Sequence, residues 1–265
     1  MNIEIFSLQI PIYGILFYLG IALAVCVAAL ISAKRKLPIF DIVGSAVYSM
    51  TGAVLGAKLL FIIVSFQQIR ELFATYPFAD ALLSVLKGGF VFYGGLIGGA
   101  SGLLIYVKQF KMRLSDFTDI YTTVIPLGHA VGRVGCFFAG CCYGIEYHGP
   151  FRYVYTSSAG MTPLGVPLLP IQLIEAALLL VLFNVLLLIF LKSEHLYLCT
   201  AVYAIGYALL RFVLEFWRGD AERGLLWGFS TSQWISLAIF IGVFLVIGVG
   251  CRRSKRRISP KGISR

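Results

Sequence analysis

Charge is what this chain has least of. Charged residues fill 13% of its 265 positions, about half the share of a soluble domain. Only twelve are acidic and three are histidines. Polar stretches are short, so a large soluble domain is excluded. Strict alternation of apolar and polar residues is missing too, which excludes a membrane-spanning β-barrel. No repeat of fixed period and no inverted pair of halves can be found, and this argues against a secondary transporter. Met1 to Ile10 carries no basic segment, and the apolar run that follows exceeds the core of a cleavable signal peptide, so the first apolar segment is expected to be retained. Basic residues are not interleaved with a readable nucleic-acid fold, which argues against nucleic-acid binding.

What is abundant is apolar. Hydrophobic residues make up 59% of the chain, and the mean hydropathy is +0.90. Seven segments reach the roughly 20 residues a spanning helix needs: Ile10–Ser32, Phe40–Phe66, Gly88–Val107, Asp116–Gly140, Leu168–Leu191, Tyr197–Trp217 and Leu226–Gly250. The expected fold is therefore all-α: one seven-helix membrane domain over residues 1–250 and a basic tail over 251–265. Lys34, Arg35, Lys36, Lys108, Lys111, Arg113, Lys192 and Arg252–Arg257 fall on one side. Only Arg70, Lys87, Arg152, Arg218 and Arg223 fall on the other. The positive-inside rule puts the richer side, with the C-terminus, in the cytoplasm and the N-terminus outside. The formal net charge of +10 is largely this bias, and it attracts anionic lipid. Two outer connections follow. Gln67 to Lys87 is expected to hold a short interfacial helix around Ile69–Tyr76. Glu146 to Pro167 reads as turns, and the tail from Arg252 as irregular.

Within these apolar runs sit a few charges. Arg133 lies in His129-Ala-Val-Gly-Arg-Val-Gly-Cys136, and Arg211, Glu215 and Arg218 share a helix face at spacings of four and three. An ion in hydrocarbon survives only with a partner or beside a polar cavity. One reading is a structural pair, Arg211 with Glu215. The other is an anion clamp, since guanidinium stays charged when desolvated and offers a planar fork to phosphate or carboxylate. Three guanidiniums against Glu215 leave positive charge for an anionic ligand, and a lipid phosphate is the abundant anion in a bilayer. His129, one turn before Arg133, is a neutral hydrogen-bonding group or a general base. Asp119, Gln172 and Glu175 are candidate interior partners for an arginine, and Lys58 either snorkels or lines the cavity.

Cys136, Cys141 and Cys142 lie near the outer end of the fourth span. They read as small buried hydrophobes, as a disulfide between Cys136 and one of the pair, or as a metal site completed by His129 or His148. Their spacing matches no standard zinc pattern. Cys26, Cys199 and Cys251 read as structural. The cluster Gly94-Gly95-Leu96-Ile97-Gly98-Gly99 serves close helix packing or a close approach of backbone to ligand.

Taken in order, Tyr13-Gly14, Gly56-Ala57-Lys58, Tyr93-Gly94-Gly95-Leu96-Ile97-Gly98, Gly132-Arg133-Val134-Gly135, Pro170-Ile171-Gln172-Leu173-Ile174-Glu175-Ala176 and Arg211-Phe-Val-Leu-Glu215-Phe-Trp-Arg218 resemble the bacterial prolipoprotein diacylglyceryl transferases. The resemblance implies seven spans in the bacterial cytoplasmic membrane. It implies transfer of the diacylglyceryl group of phosphatidylglycerol to the lipobox cysteine of a preprolipoprotein, with no metal or organic cofactor. It implies that Arg133 and Arg211 hold the phosphate, that Tyr13, Tyr207, Glu215 and Arg218 support them, and that Gly94, Gly95 and Gly98 border the substrate. The chain departs from the family pattern Gly-Arg-x-Gly-Asn-Phe-x-Asn-x-Glu. Cys136, Ala139 and Cys141 stand for the two Asn and the Glu, and Tyr93 stands for a catalytic histidine, with His129 a replacement base. The rival readings are a paralogue that binds anionic lipid and uses its thiols for redox or export work, and a small-anion channel.

Overall fold

A backbone in hydrocarbon must satisfy its own hydrogen bonds, and a helix does so within one segment. The computed structural model describes residues 2–5, 8–157, 160, 162–219 and 225–258. Among the described residues the helices are α1 (Ile12–Ser32), α2 (Ile39–Val64), α3 (Phe66–Thr75), α4 (Phe78–Lys87), α5 (Phe92–Gln109), α6 (Leu114–Ala139), α7 (Ile171–Lys192), α8 (Leu198–Leu214) and α9 (Thr231–Ile258). The strands form three short antiparallel pairs: β1 (Asn2–Ile5) with β2 (Leu8–Pro11), β3 (Tyr153–Val154) with β4 (Pro167–Leu168), and β5 (Leu225–Leu226) with β6 (Phe229–Ser230).

Four helices are long and apolar enough to cross a membrane: Ile12–Arg35, Ile39–Val64, Ile171–Lys192 and Leu198–Trp217. A fifth span results if α4 and α5, bent by 74° at their junction, count as one. α6 does not reach this standard, because Asp116, Asp119, His129 and Arg133 dilute its apolar content and Pro126 interrupts it. In α9 the described apolar part is Thr231–Val243. The chain is thus a mostly helical multi-pass membrane protein with four to five spans of plain apolar character. The backbone of α9 continues through Ile258, so the first part of the basic tail is helical rather than irregular. Arg223 and residues 259–265 lie outside the described residues.

The chain divides into two compact units, Ala28–Phe117 and Met1–Val27 with Thr118–Arg265. In the first, α2 packs along α5 through glycines. A Cβ on Gly52 or Gly56 would meet the carbonyl of Gly98 or Gly94, and the reverse substitutions meet the same wall. Backbones that close need small residues. Lys58 of α2 donates from Nζ to the carbonyls of Val85 at 2.5 Å and Leu86 at 3.2 Å, and also to that of Gly88. A cation there satisfies the open carbonyls at the end of α4 and complements its dipole. Lys58 also borders an apolar groove between α2 and α5. α3 supplies the short helix expected after Gln67.

In the second unit the segment around Gly144 ties three helix ends together. Ile145 N donates to Trp217 O at 3.0 Å, Gly219 N to Tyr143 O at 3.0 Å, and Leu169 N to Ile145 O at 3.0 Å. The end of α6, the start of α7 and the end of α8 therefore meet at one face. A Cβ on Gly144 would strike the Leu169 carbonyl, which explains that glycine. At the opposite end Asp119 is fully buried. It accepts from Tyr197 N at 2.8 Å, Thr200 N at 3.3 Å and Thr200 Oγ1 at 3.1 Å. A carboxylate over the first turn of α8 caps its unpaired N–H groups. Asp119 therefore serves the start of α8.

Candidate active site

The charges foreseen in α6 and α8 come together in the second unit. Arg133 of α6 lies 3.0 Å from Glu175 of α7 through Nε and Oε1. Its Nε hydrogen is directed at His129 Nε2, 3.3 Å away. One donor thus faces an ion-pair partner and a hydrogen-bond acceptor together. Because Nε2 accepts, His129 is the neutral tautomer with its proton on Nδ1. The lone pair a general base would use is held by Arg133.

Arg211 of α8 forms the second pair. Its Nη2 lies 2.7 Å from Glu215 Oε2 and donates to Ser232 Oγ of α9 at 2.9 Å. Its Nη1 is buried and meets no hydrogen-bond partner among the described residues. Glu175 and Tyr207 lie within electrostatic reach of both Arg133 and Arg211, and Tyr207 packs 5.4 Å from the His129 ring. Arg218 also lies within electrostatic reach of Arg211. It follows the 3-10 turn Glu215–Trp217 that ends α8. Tyr13 of α1 packs against Gly135, whose Cβ would sit 3.3 Å from the tyrosine ring. Among the described residues the cluster thus joins the guanidiniums of Arg133 and Arg211, with Arg218 nearby, to two carboxylates, Glu175 as well as Glu215, one more than the sequence suggested.

Beside these arginines the end of α6 turns back on itself. Gly140 has φ +65° and Cys142 φ +55°, left-handed conformations that are costly for a non-glycine residue. Side chains hold the carbonyls of this turn. Gln172 Nε2 donates to Cys141 O at 2.8 Å, Tyr155 Oη to Phe137 O at 3.0 Å, and Thr162 Oγ1 to Gly140 O. Burial pushes the Tyr155 phenol up to about 12, so it remains a donor at physiological pH. The thiols of Cys136, Cys141 and Cys142 are free. Their sulfurs lie within 4.8 Å of one another.

The remaining candidates, Tyr93, Gly94, Gly95 and Gly98, lie on α5 in the other unit. Tyr93 is half exposed at the helix start. Gly94 and Gly98 form the close packing with α2, and Gly95 makes only ordinary contacts. Sequence reasoning missed Ser232, Thr162 and Tyr155. Each is a small or amphipathic residue in a connection or at a helix start, and nothing in its spacing marks it.

The fold and site define a multi-pass helical membrane protein with two buried arginine–glutamate pairs in one cluster. Residues 1–249 match the profile of the prolipoprotein diacylglyceryl transferase family. The chain is 36% identical to the phosphatidylglycerol–prolipoprotein diacylglyceryl transferase of Clostridium tetani, over 91% of this chain and 94% of that protein. It is 30% identical to the second such transferase of Clostridium perfringens, over 97% and 98%. It is 30% identical to that of Geobacter sulfurreducens, over 94% and 92%. The chain belongs to the prolipoprotein diacylglyceryl transferase family.

Proposed function

We propose that this chain transfers the diacylglyceryl group of phosphatidylglycerol to the lipobox cysteine thiol of a preprolipoprotein, in the bacterial cytoplasmic membrane. Full-length membership in the family supports the reaction. The observation that carries the site is the buried Nη1 of Arg211, which meets no hydrogen-bond partner among the described residues although it sits in a cluster with Arg133, Glu175 and Glu215. A buried donor left unsatisfied costs about 1–3 kcal/mol, and more on a charged group. A phosphate oxygen relieves it.

In this reading the phosphate binds between Arg133 and Arg211, with Tyr13, Tyr207 and Arg218 as further contacts and Glu215 orienting Arg211. The acceptor thiolate attacks the glycerol carbon that bears the phosphate. The carbon–oxygen bond breaks, and glycerol phosphate leaves with the electron pair. Arginines fixed in a dry site stabilise the charge growing on that leaving group. His129 enters through its contact with Arg133. When Arg133 turns to the phosphate, Nε2 is released and becomes available as a base. Tyr93 stands where the family places a histidine, Gly94 and Gly98 are taken up by packing on α2, and Gly95 would bring backbone to the headgroup.

Two further spans, α6 and α9, complete seven in this reading, with the N-terminus outside and the C-terminal tail cytoplasmic. The Lys and Arg asymmetry supports that orientation. The deciding experiment uses purified protein in phosphatidylglycerol nanodiscs with a lipobox peptide. Release of glycerol phosphate together with a lipidated peptide is expected. Tight lipid binding with neither product would favour the rival reading, a lipid-binding paralogue. A C-terminal tag cleaved by protease on intact spheroplasts would reverse the topology.

A further inference from the structure

The three thiols at the end of α6 are arranged for more than packing. Cys136 occupies the last turn of the helix, and Cys141 and Cys142 lie in the turn after it. Cys141 N bonds back to Cys136 O at 3.2 Å, and its sulfur approaches the same carbonyl at 3.7 Å. The left-handed Cys142 folds the chain so that all three sulfurs fall within 4.8 Å of one another. Three thiolates about 2.3 Å from a common ion sit roughly 4 Å apart. Gln172, Thr162 and Tyr155 fix the turn from outside through its carbonyls, which holds the three thiols in place. A disulfide would use two sulfurs and leave the third without a role. Neither histidine belongs to the group: His129 faces Arg133 and His148 faces Glu146 at 3.0 Å.

We propose that Cys136, Cys141 and Cys142 bind a thiophilic divalent d10 cation of the zinc type, whose fourth position takes the acceptor thiol. Three protein ligands with one open position is the pattern of catalytic rather than structural zinc. The inference rests on the transferase reading above. It answers a problem that reading leaves open: this chain has thiols where the family has Asn and Glu, and the attacking thiol must become thiolate. A coordinated thiol is deprotonated outright. The acceptor S–H binds the ion and its proton passes to solvent. The metal-bound sulfur then forms the S–C bond as the C–O bond breaks, and glycerol phosphate takes the electron pair. The product is a neutral thioether, a weaker ligand that leaves the ion. A divalent ion with three thiolates carries one net negative charge. Arg218, within electrostatic reach of Cys142, offsets it.

The test uses Cd2+ as probe on the full chain, reduced and in nanodiscs. One equivalent is expected to give a thiolate-to-metal charge-transfer band. Cys136→Ser, Cys141→Ser and Cys142→Ser should each weaken its affinity at least tenfold, and Cys26→Ser should leave it unchanged. A lipobox peptide with cysteine should strengthen the band, and the same peptide with serine should not. Zinc-free protein should transfer at least tenfold more slowly than zinc-loaded protein. No stoichiometric band, a band indifferent to the three substitutions, or no response to the cysteine peptide overturns the proposal. Full-rate transfer by metal-stripped protein also overturns it and leaves the transferase reading standing. Protein that binds metal and peptide thiol but releases no glycerol phosphate supports the site and refutes that reading instead.

Discussion

Arg133 and Glu175 meet at 3.0 Å from neighbouring helices, and the glutamate side chain is almost wholly buried. Neither charge can be removed alone without stranding the other away from water. Breaking such a pair costs about 3–5 kcal/mol. Glu175→Ala is therefore expected to lower the unfolding temperature in detergent and to reduce accumulation in the membrane. Adding Arg133→Met should restore accumulation while transfer stays absent. Wild-type unfolding of Glu175→Ala would show that solvent or lipid already satisfies Arg133.

The clamp is tested separately from the fold by Arg211. Its Nη2 is held by Glu215 and Ser232, while Nη1 meets no hydrogen-bond partner among the described residues. Losing a hydrogen bond to a charged group costs about 1.5–3 kcal/mol, which is roughly tenfold to over a hundredfold in binding or rate. Arg211→Ala should lose phosphatidylglycerol binding and transfer while still inserting. Arg211→Lys should recover only part, because a point charge cannot reproduce the fork. Wild-type transfer by folded Arg211→Ala would reduce this residue to a structural ion-pair member.

Asp119 reaches the same site from far along the chain, because the helix it caps carries Tyr207 and Arg211. Replacing an N-terminal cap by alanine costs about 0.5–2 kcal/mol. Asp119→Ala should lower thermal stability by that order and leave the KM for phosphatidylglycerol near the wild-type value. A large rise in KM with unchanged stability would mean that Asp119 acts on the ligand.

Tyr155 offers a pH test. Its phenol ionises near pH 12 in the folded chain and near 10 in an unfolded one. The unfolded chain therefore loses the proton first. The stability tied to the neutral phenol is complete below pH 10 and is lost as pH rises from about 10 to 12. Tyr155→Phe removes the bond to Phe137 O and should flatten that part of the stability profile. An identical alkaline profile in the variant would place the titration elsewhere.

How far the sequence was legible depended on whether spacing carried the signal. The arginines stood out because charge is rare in apolar runs, and Arg211 with Glu215 is a local pair that helix geometry predicts. Arg133 with Glu175 required two helices to be placed side by side, which periodicity alone does not do. Asp119 stood out as a buried carboxylate, but its bonds to Tyr197 and Thr200 at the start of α8, 78 and 81 residues away, left no mark in the spacing. α6 fell short as an apolar span because the residues that make the site are the ones that lower its hydropathy. The thiols were visible as a motif. Their convergence was not, because it depends on a left-handed Cys142 and on side chains from the following loop and α7.

The glycines of α5 differ in how closely they meet α2. A Cβ on Gly98 would strike the Gly52 carbonyl and lie 3.0 Å from Gly56 Cα. Backbone cannot give way as a side chain can, so Gly98→Ala should separate α2 from α5 at about 1–3 kcal/mol, the usual cost of overpacking. Stability and transfer should fall together. Gly95 differs: its Cβ would lie 3.6 Å from both Ala53 O and Ala57 Cβ, ordinary contact distances. Alanine there also gains about 0.8–1 kcal/mol of helix propensity. Gly95→Ala should therefore keep the wild-type unfolding temperature. If the backbone at Gly95 approaches the lipid headgroup, as proposed, the added methyl should raise the KM for phosphatidylglycerol several-fold with kcat little changed. A wild-type KM would take Gly95 out of the substrate site and leave the whole glycine run to helix packing.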